Sequence, residues 1–120
     1  MTYRTGRFAA ALAGLALLAL TGCDRNEETP APVALNTHEA TLYAHSCSTC
    51  HEDPATGAPQ THDIEAWTPR IAKGDAQLLA HIIDGFNGMP PLGQCIECTA
   101  EEFIRLTHFM AAPAGGETTE

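Results

Sequence analysis

The segment Cys47-Ser48-Thr49-Cys50-His51 constrains this chain more than any other stretch. Two cysteines with a two-residue spacer, followed at once by histidine, form the C-x-x-C-H pattern of covalent haem c attachment. Two thiols can add to the two vinyl groups along one haem edge. The spacer lets both sulfurs reach that edge from a single helical turn. His51 is then placed to offer its imidazole to the iron. Such a cysteine pair can also form a disulfide or half of a zinc site. The rest of the chain favours haem, because it supplies an export signal and a second candidate iron ligand.

The N-terminus reads as a targeting segment. Arg4 and Arg7 precede an apolar run from Phe8 to Leu20, too short to span a membrane and suited to a signal-peptide core. Leu20-Thr21-Gly22-Cys23 looks like a bacterial lipoprotein cleavage box. Residues 1–22 are therefore expected to be removed and Cys23 to carry lipid, each buried CH2 contributing about 0.8 kcal/mol to a membrane anchor. Ordinary secretory cleavage with Cys23 left as a free thiol is the alternative. Export implies a periplasmic, membrane-anchored protein. With Cys23, Cys47 and Cys50 so assigned, Cys95 and Cys98 remain, and an oxidising compartment permits them to pair.

Charge narrows the partners. Without residues 1–22, four cations stand against fifteen acids, a net charge of −11. Such a chain does not bind nucleic acid by charge and is repelled by anionic lipid except at its anchor. A basic docking partner is its natural complement; solubility alone is the other reading of the acidity.

Residues 23–36 contain Glu27, Glu28, Pro30 and Pro32, lack apolar periodicity and read as a flexible tether. The stretch from Asp24 to Asn36 could extend over roughly 40 Å. Residues 113–120 read as a disordered tail. One small domain, residues 37–112, is left, and a domain of that size needs a staple such as a covalent haem. It reads as all-α, about four helices. Asn36 with Glu39 forms a capping box for a helix running into the haem motif. Trp67 to Lys73 is a short second helix, with Pro69 in its first turn and Gly74 as its stop. Asp75 caps a third, striped by Leu78, Leu79, Ile82 and Ile83 and ended by Gly85. Thr99 with Glu102 caps a last helix, whose face carries Phe103, Leu106, Thr107 and Met110 before Pro113 closes it.

Met89 is the candidate sixth ligand. It sits in Gly85-Phe86-Asn87-Gly88-Met89-Pro90-Pro91, where two prolines stiffen the backbone behind it. A thioether opposite histidine raises the reduction potential relative to two histidines. Met110 is the rival methionine, but its place on an apolar helix face suits packing. His38, His45, His62, His81 and His108 read as surface or rim residues, His45 pointing away from the haem side.

These motifs together resemble the small class I cytochromes c, and cytochrome c5 in particular. The likeness rests on Cys47, Cys50 and His51, on Ala58-Pro59, on Trp67 to Arg70, on Phe86 to Pro91, and on Cys95 and Cys98 ahead of Thr99-Ala100-Glu101-Glu102. It covers essentially all of residues 37–112. The resemblance implies that the Pro59 carbonyl accepts a hydrogen bond from the outer ring nitrogen of His51. It implies that Trp67 and Arg70 lie near the haem propionates, and that Cys95 and Cys98 form a disulfide beside Met89. Leu92 stands where the family often has lysine, so docking through apolar contact or an acidic patch is expected in place of a basic surface.

The resulting expectation is a monomeric monohaem cytochrome that carries single electrons and catalyses no reaction of its own. Its partners would be redox proteins such as a membrane oxidase or reductase, met at the periplasmic face of a membrane. A haem-based gas sensor, or a relay subunit of a larger oxidoreductase, is the alternative.

Overall fold

The computed structural model describes residues 31–115. The segment 1–22, the lipidation position Cys23, most of the tether and the end of the tail lie outside them. Five α-helices follow in order: α1 (Thr37–His45), α2 (Ser48–His51), α3 (Ile64–Ile71), α4 (Asp75–Asp84) and α5 (Ala100–Ala111). Two short 3-10 turns, Pro54–Thr56 and Pro91–Gln94, lie between them. No strand occurs among the described residues; an isolated antiparallel bridge joins Phe86 to Met89. None of these helices is long and apolar enough to cross a membrane.

The two capping boxes form as their sequences dictate. The Asn36 side chain accepts from the Glu39 N–H while Glu39 accepts from the Asn36 N–H, both at 2.9 Å. Thr99 and Glu102 do the same at the head of α5. Each cap is worth about 1 kcal/mol. Glu39 has a second role. It is 4% exposed, and its carboxylate takes Arg105 Nε from α5 at 2.5 Å, tying the first helix to the last.

Three elements depart from the sequence reading. The first helix does not run into the haem motif. Ser46 leaves helical geometry (φ −130, ψ −71) and α2 begins afresh behind Cys47. The Ser46 hydroxyl, bonded to the Leu42 carbonyl at 2.6 Å, stabilises that break. Helix α3 starts at Ile64, capped by the Asp63 carboxylate on the Ala66 N–H, so Pro69 lies within the helix and not in its first turn. Pro69 cannot donate to the Glu65 carbonyl, but Glu65 is exposed and solvent can take that acceptor. Gly74, not Asp75, is the cap of α4, in a conformation (φ 85, ψ 157) that only glycine enters freely. The Asp75 carboxylate instead meets His108 Nε2 of α5 at 2.8 Å.

The core is the meeting of α1, α3, α4 and α5: Leu42, Tyr43, Trp67, Ile82, Cys95, Phe103, Leu106 and Met110 are all buried. Thr107 is buried among them because its hydroxyl bonds the Phe103 carbonyl at 2.8 Å.

Glu39 gives the fold an acid-side dependence. The Arg105 hydrogen bond first, then the Asn36 N–H, hold its carboxyl below its ordinary value of 4.5. A lowered folded pKa means the ionised form favours folding. That stability is complete above the ordinary value and is lost as pH falls through the depressed one. Thermal melts taken from about pH 5 downward should show Tm falling in the native chain. Glu39→Gln should melt lower at neutral pH and lose part of that slope.

Candidate functional site

One cavity of about 480 Å³ opens into the core. The Cys47 and Cys50 thiols, both free, border it together with His51. Burial pushes the Cys47 thiol pKa upward. Among the described residues no cluster of three or more Cys, His, Asp or Glu able to hold a metal ion forms.

His51 is 8% exposed. Its Nδ1 lies 2.7 Å from the Pro59 carbonyl oxygen. A carbonyl only accepts, so Nδ1 carries the proton and Nε2 keeps its lone pair free for a metal. The Pro59 carbonyl belongs to a strap, residues 58–62, with no regular structure of its own. Side chains hold it. Gln60 Nε2 donates to the Ala58 carbonyl at 2.8 Å. Trp67 Nε1 donates to the Gln60 carbonyl at 2.8 Å, while the indole lies 5.7 Å from the imidazole, centroid to centroid. The Thr61 N–H donates back to the His51 carbonyl at 2.7 Å. His62, in a left-handed conformation (φ 67), ends the strap by donating its own N–H to the Met110 carbonyl.

Met89 lies across the same cavity wall from α4. Phe86 and Met89 exchange both backbone hydrogen bonds, at 3.0 and 2.9 Å, across a tight turn with Asn87 at φ 53. Gly85 (φ 82) makes this turn possible: a Cβ there would stand 2.9 Å from the Met89 carbonyl oxygen. Beyond Pro90 and Pro91 the chain turns through three consecutive left-handed residues, Leu92, Gly93 and Gln94. A Cβ on Gly93 would meet the Met89 methyl at 2.9 Å, so that side chain rests on bare backbone. The Cys95–Cys98 disulfide closes the segment, with Cys95 buried in the core.

The structure therefore brings Cys47, Cys50, His51, Pro59, Trp67, Arg70 and Met89 to one cavity. Met110 also borders it, but from within the buried core. The single N–H of Trp67 is committed to the Gln60 carbonyl. Arg70 is exposed and folds back to the Ala66 carbonyl of its own helix. His45 is exposed and outside the cavity wall, whereas His81 stands on its rim, stacked on Phe86 at 4.0 Å. Tyr43, Gln60 and Thr61 form no motif in the sequence. Their signal was weak, because polar residues near a loop acquire meaning only through what they meet. The donor set fits a covalently held porphyrin: two thiols, an imidazole with one nitrogen oriented by a carbonyl, a thioether, and a largely apolar wall from Leu78, Ile82, Phe103 and Leu106.

Comparison with known proteins agrees with this geometry. A family model described as cytochrome c oxidase, cbb3-type, subunit III matches residues 34–110. Cytochrome c5 of Ectopseudomonas mendocina is 38% identical over 63 residues, 51% of this chain and 72% of its own length. Cytochrome c5 of Azotobacter vinelandii is 41% identical over 63 residues, 51% of this chain and 76% of its own. A solved electron transfer complex of nitrite reductase with cytochrome c contains a similar chain, with a TM-score of 0.56 and 29% identity. That match covers 65% of this chain and 95% of the other. The chain belongs to the c-type cytochrome family. It has the small class I fold and carries a single covalent haem c, and its class of work is electron transfer.

Gly85→Ala should destabilise the protein by about 2 kcal/mol or more, since the new Cβ meets both positive φ and a backbone oxygen. Urea denaturation followed by circular dichroism measures this. Gly57→Ala is the comparison, because φ is also positive there but nothing lies within 4 Å of the added carbon, and it should cost less.

Proposed function

We propose that this cytochrome shuttles single electrons between respiratory redox partners at the periplasmic face of a membrane, tethered there through lipidated Cys23. Cys47 and Cys50 would form the thioethers, and His51 Nε2 and Met89 Sδ would hold the iron. The observation that carries the assignment is the 2.7 Å contact from His51 Nδ1 to the Pro59 carbonyl, which leaves the other ring nitrogen for iron.

The bound haem supplies an iron that accepts and releases one electron. The chain's own groups keep that exchange undemanding. The Pro59 carbonyl fixes the imidazole and strengthens it as a donor. The paired backbone bonds of Phe86 and Met89 hold the thioether on a short, rigid turn. Leu78, Ile82, Phe103 and Leu106 exclude water, which lowers the solvent rearrangement that accompanies a change of charge. With both His51 and Met89 engaged, binding of small gases would be disfavoured.

Partner choice follows from charge. Among residues 31–115, three cations, Arg70, Lys73 and Arg105, stand against ten acids, and Arg70 and Lys73 border the cavity. The cytochrome in the solved neighbour pairs with nitrite reductase, which supports a redox enzyme as this chain's partner also. The acidic surface favours one whose docking face is basic. A lipid anchor would hold the carrier near membrane donors and raise its effective concentration there.

An absorption spectrum of the oxidised, haem-loaded protein should show the weak sulfur-to-iron band, and reduction followed by CO should leave the spectrum unshifted. Met89→Ala should abolish the band and admit CO, while Met110→Leu should keep it. If Met89→Ala retains the band, Met89 is not the ligand. Electron exchange with a basic redox protein should slow several-fold as ionic strength rises past the point where the Debye length falls to about 10 Å. A salt-independent rate would exclude electrostatic docking.

A further inference from the structure

We propose that Tyr43 is a positioning residue for the haem iron: through Thr61 it holds the strap whose Pro59 carbonyl orients His51, and so it helps set the reduction potential. This inference rests on His51 being an axial ligand.

Tyr43 lies on α1, far in sequence from the strap. Its hydroxyl is 2.6 Å from Glu52 Oε1 and 2.7 Å from Thr61 Oγ1. A phenol has one proton, and a carboxylate only accepts. Tyr43 therefore donates to Glu52, and the Thr61 hydroxyl must donate to Tyr43. The result is a directed chain, Thr61 to Tyr43 to Glu52, ending on a carboxyl acceptor. Burial and the Glu52 contact both push the phenol pKa upward, so the donor keeps its proton.

Thr61 is held at both ends. Its N–H reaches the His51 carbonyl and its hydroxyl reaches Tyr43. Pro59, two residues earlier, accepts from the His51 ring. Any slackening at Thr61 is thus transmitted to the Pro59 oxygen across a single intervening residue. Tyr43 is a firm anchor for this purpose. It is 7% exposed and its ring meets Phe109 edge-on at 5.1 Å, fixing it between α1 and α5.

The consequence has a sign. A short Nδ1–H to carbonyl bond makes the imidazole more electron-rich and favours the ferric state. Releasing the strap weakens that bond, so the midpoint potential rises.

Tyr43→Phe tests this in the haem-loaded protein, since it keeps the ring against Phe109 and removes only the hydroxyl. The expected result is a higher midpoint potential, with the His51 Nδ1–H proton resonance of the reduced protein moved upfield. Thr61→Val should shift both in the same direction, and the double variant should shift no further than the larger single one, because both cut one chain. Thr41→Val, an exposed hydroxyl on the same helix, is the control and should change neither. An unchanged or lowered potential with an unmoved His51 resonance, in a Tyr43→Phe protein of native spectrum, would overturn the proposal. Should that variant not fold, Thr61→Val decides by the same readings. A wild-type spectrum without histidine ligation would instead defeat the axial assignment itself.

Discussion

The hydrogen bond between His51 and Pro59 is the contact around which the rest is arranged. An imidazole has two nitrogens, and a ligand needs one of them stripped of its proton and aimed. The Pro59 carbonyl settles which one, at 2.7 Å. Bringing that oxygen there demands that the chain double back eight residues after the histidine. Gly57, at φ 73, makes the reversal. Trp67 of α3, Tyr43 of α1 and the last carbonyls of α5 then fasten the returning strap. Three helices far apart in sequence thus converge on one short strap, at Gln60, Thr61 and His62. The packing of the bundle and the orientation of the ligand are the same fact seen at two scales.

The cofactor is also part of the core. The described domain is small, and its fully buried side chains are few. A group held in the cavity of about 480 Å³ would pack against Leu78, Ile82, Phe103 and Leu106 and stand in for core that so small a domain lacks. Covalent attachment through two cysteines is therefore structural as much as chemical. It keeps in place a component the fold relies on.

Much of this was readable in the chain, for identifiable reasons. Asn36 with Glu39 and Thr99 with Glu102 are local signals, complete within four residues, and both form as written. The same is true of Gly85 as a stop. Signals failed where a competing local choice was equally good. Asp75 could have capped α4, but Gly74 takes the cap and frees Asp75 for His108. Asp63 was a cap hidden ahead of Ile64, and Pro69 drew the helix start too far along the chain. The break at Ser46 carried no glycine or proline to signal it, and at it the Ser46 hydroxyl bonds the Leu42 carbonyl. The cavity residues carried by motif, Cys47, Cys50, His51 and Met89, were plain in the sequence. Those carried by tertiary contact, such as Tyr43 and Thr61, were not.

The two walls of the site are built by opposite means. On the histidine side, side-chain hydrogen bonds from distant helices hold a loop that has no conformation of its own. On the methionine side the backbone constrains itself. Phe86 and Met89 lock one turn, two prolines follow, and Leu92 and Gln94 accept left-handed geometry that costs each on the order of 1 kcal/mol. The Cys95–Cys98 bridge and the burial of Cys95 hold that strained segment in place. A hydrogen-bonded wall can be tuned by single hydroxyls without collapse, whereas a covalently and sterically fixed wall yields only when it breaks. With His51 and Met89 holding the iron as proposed, the histidine side would give graded control of it, and the methionine side would decide whether its second ligand is present at all.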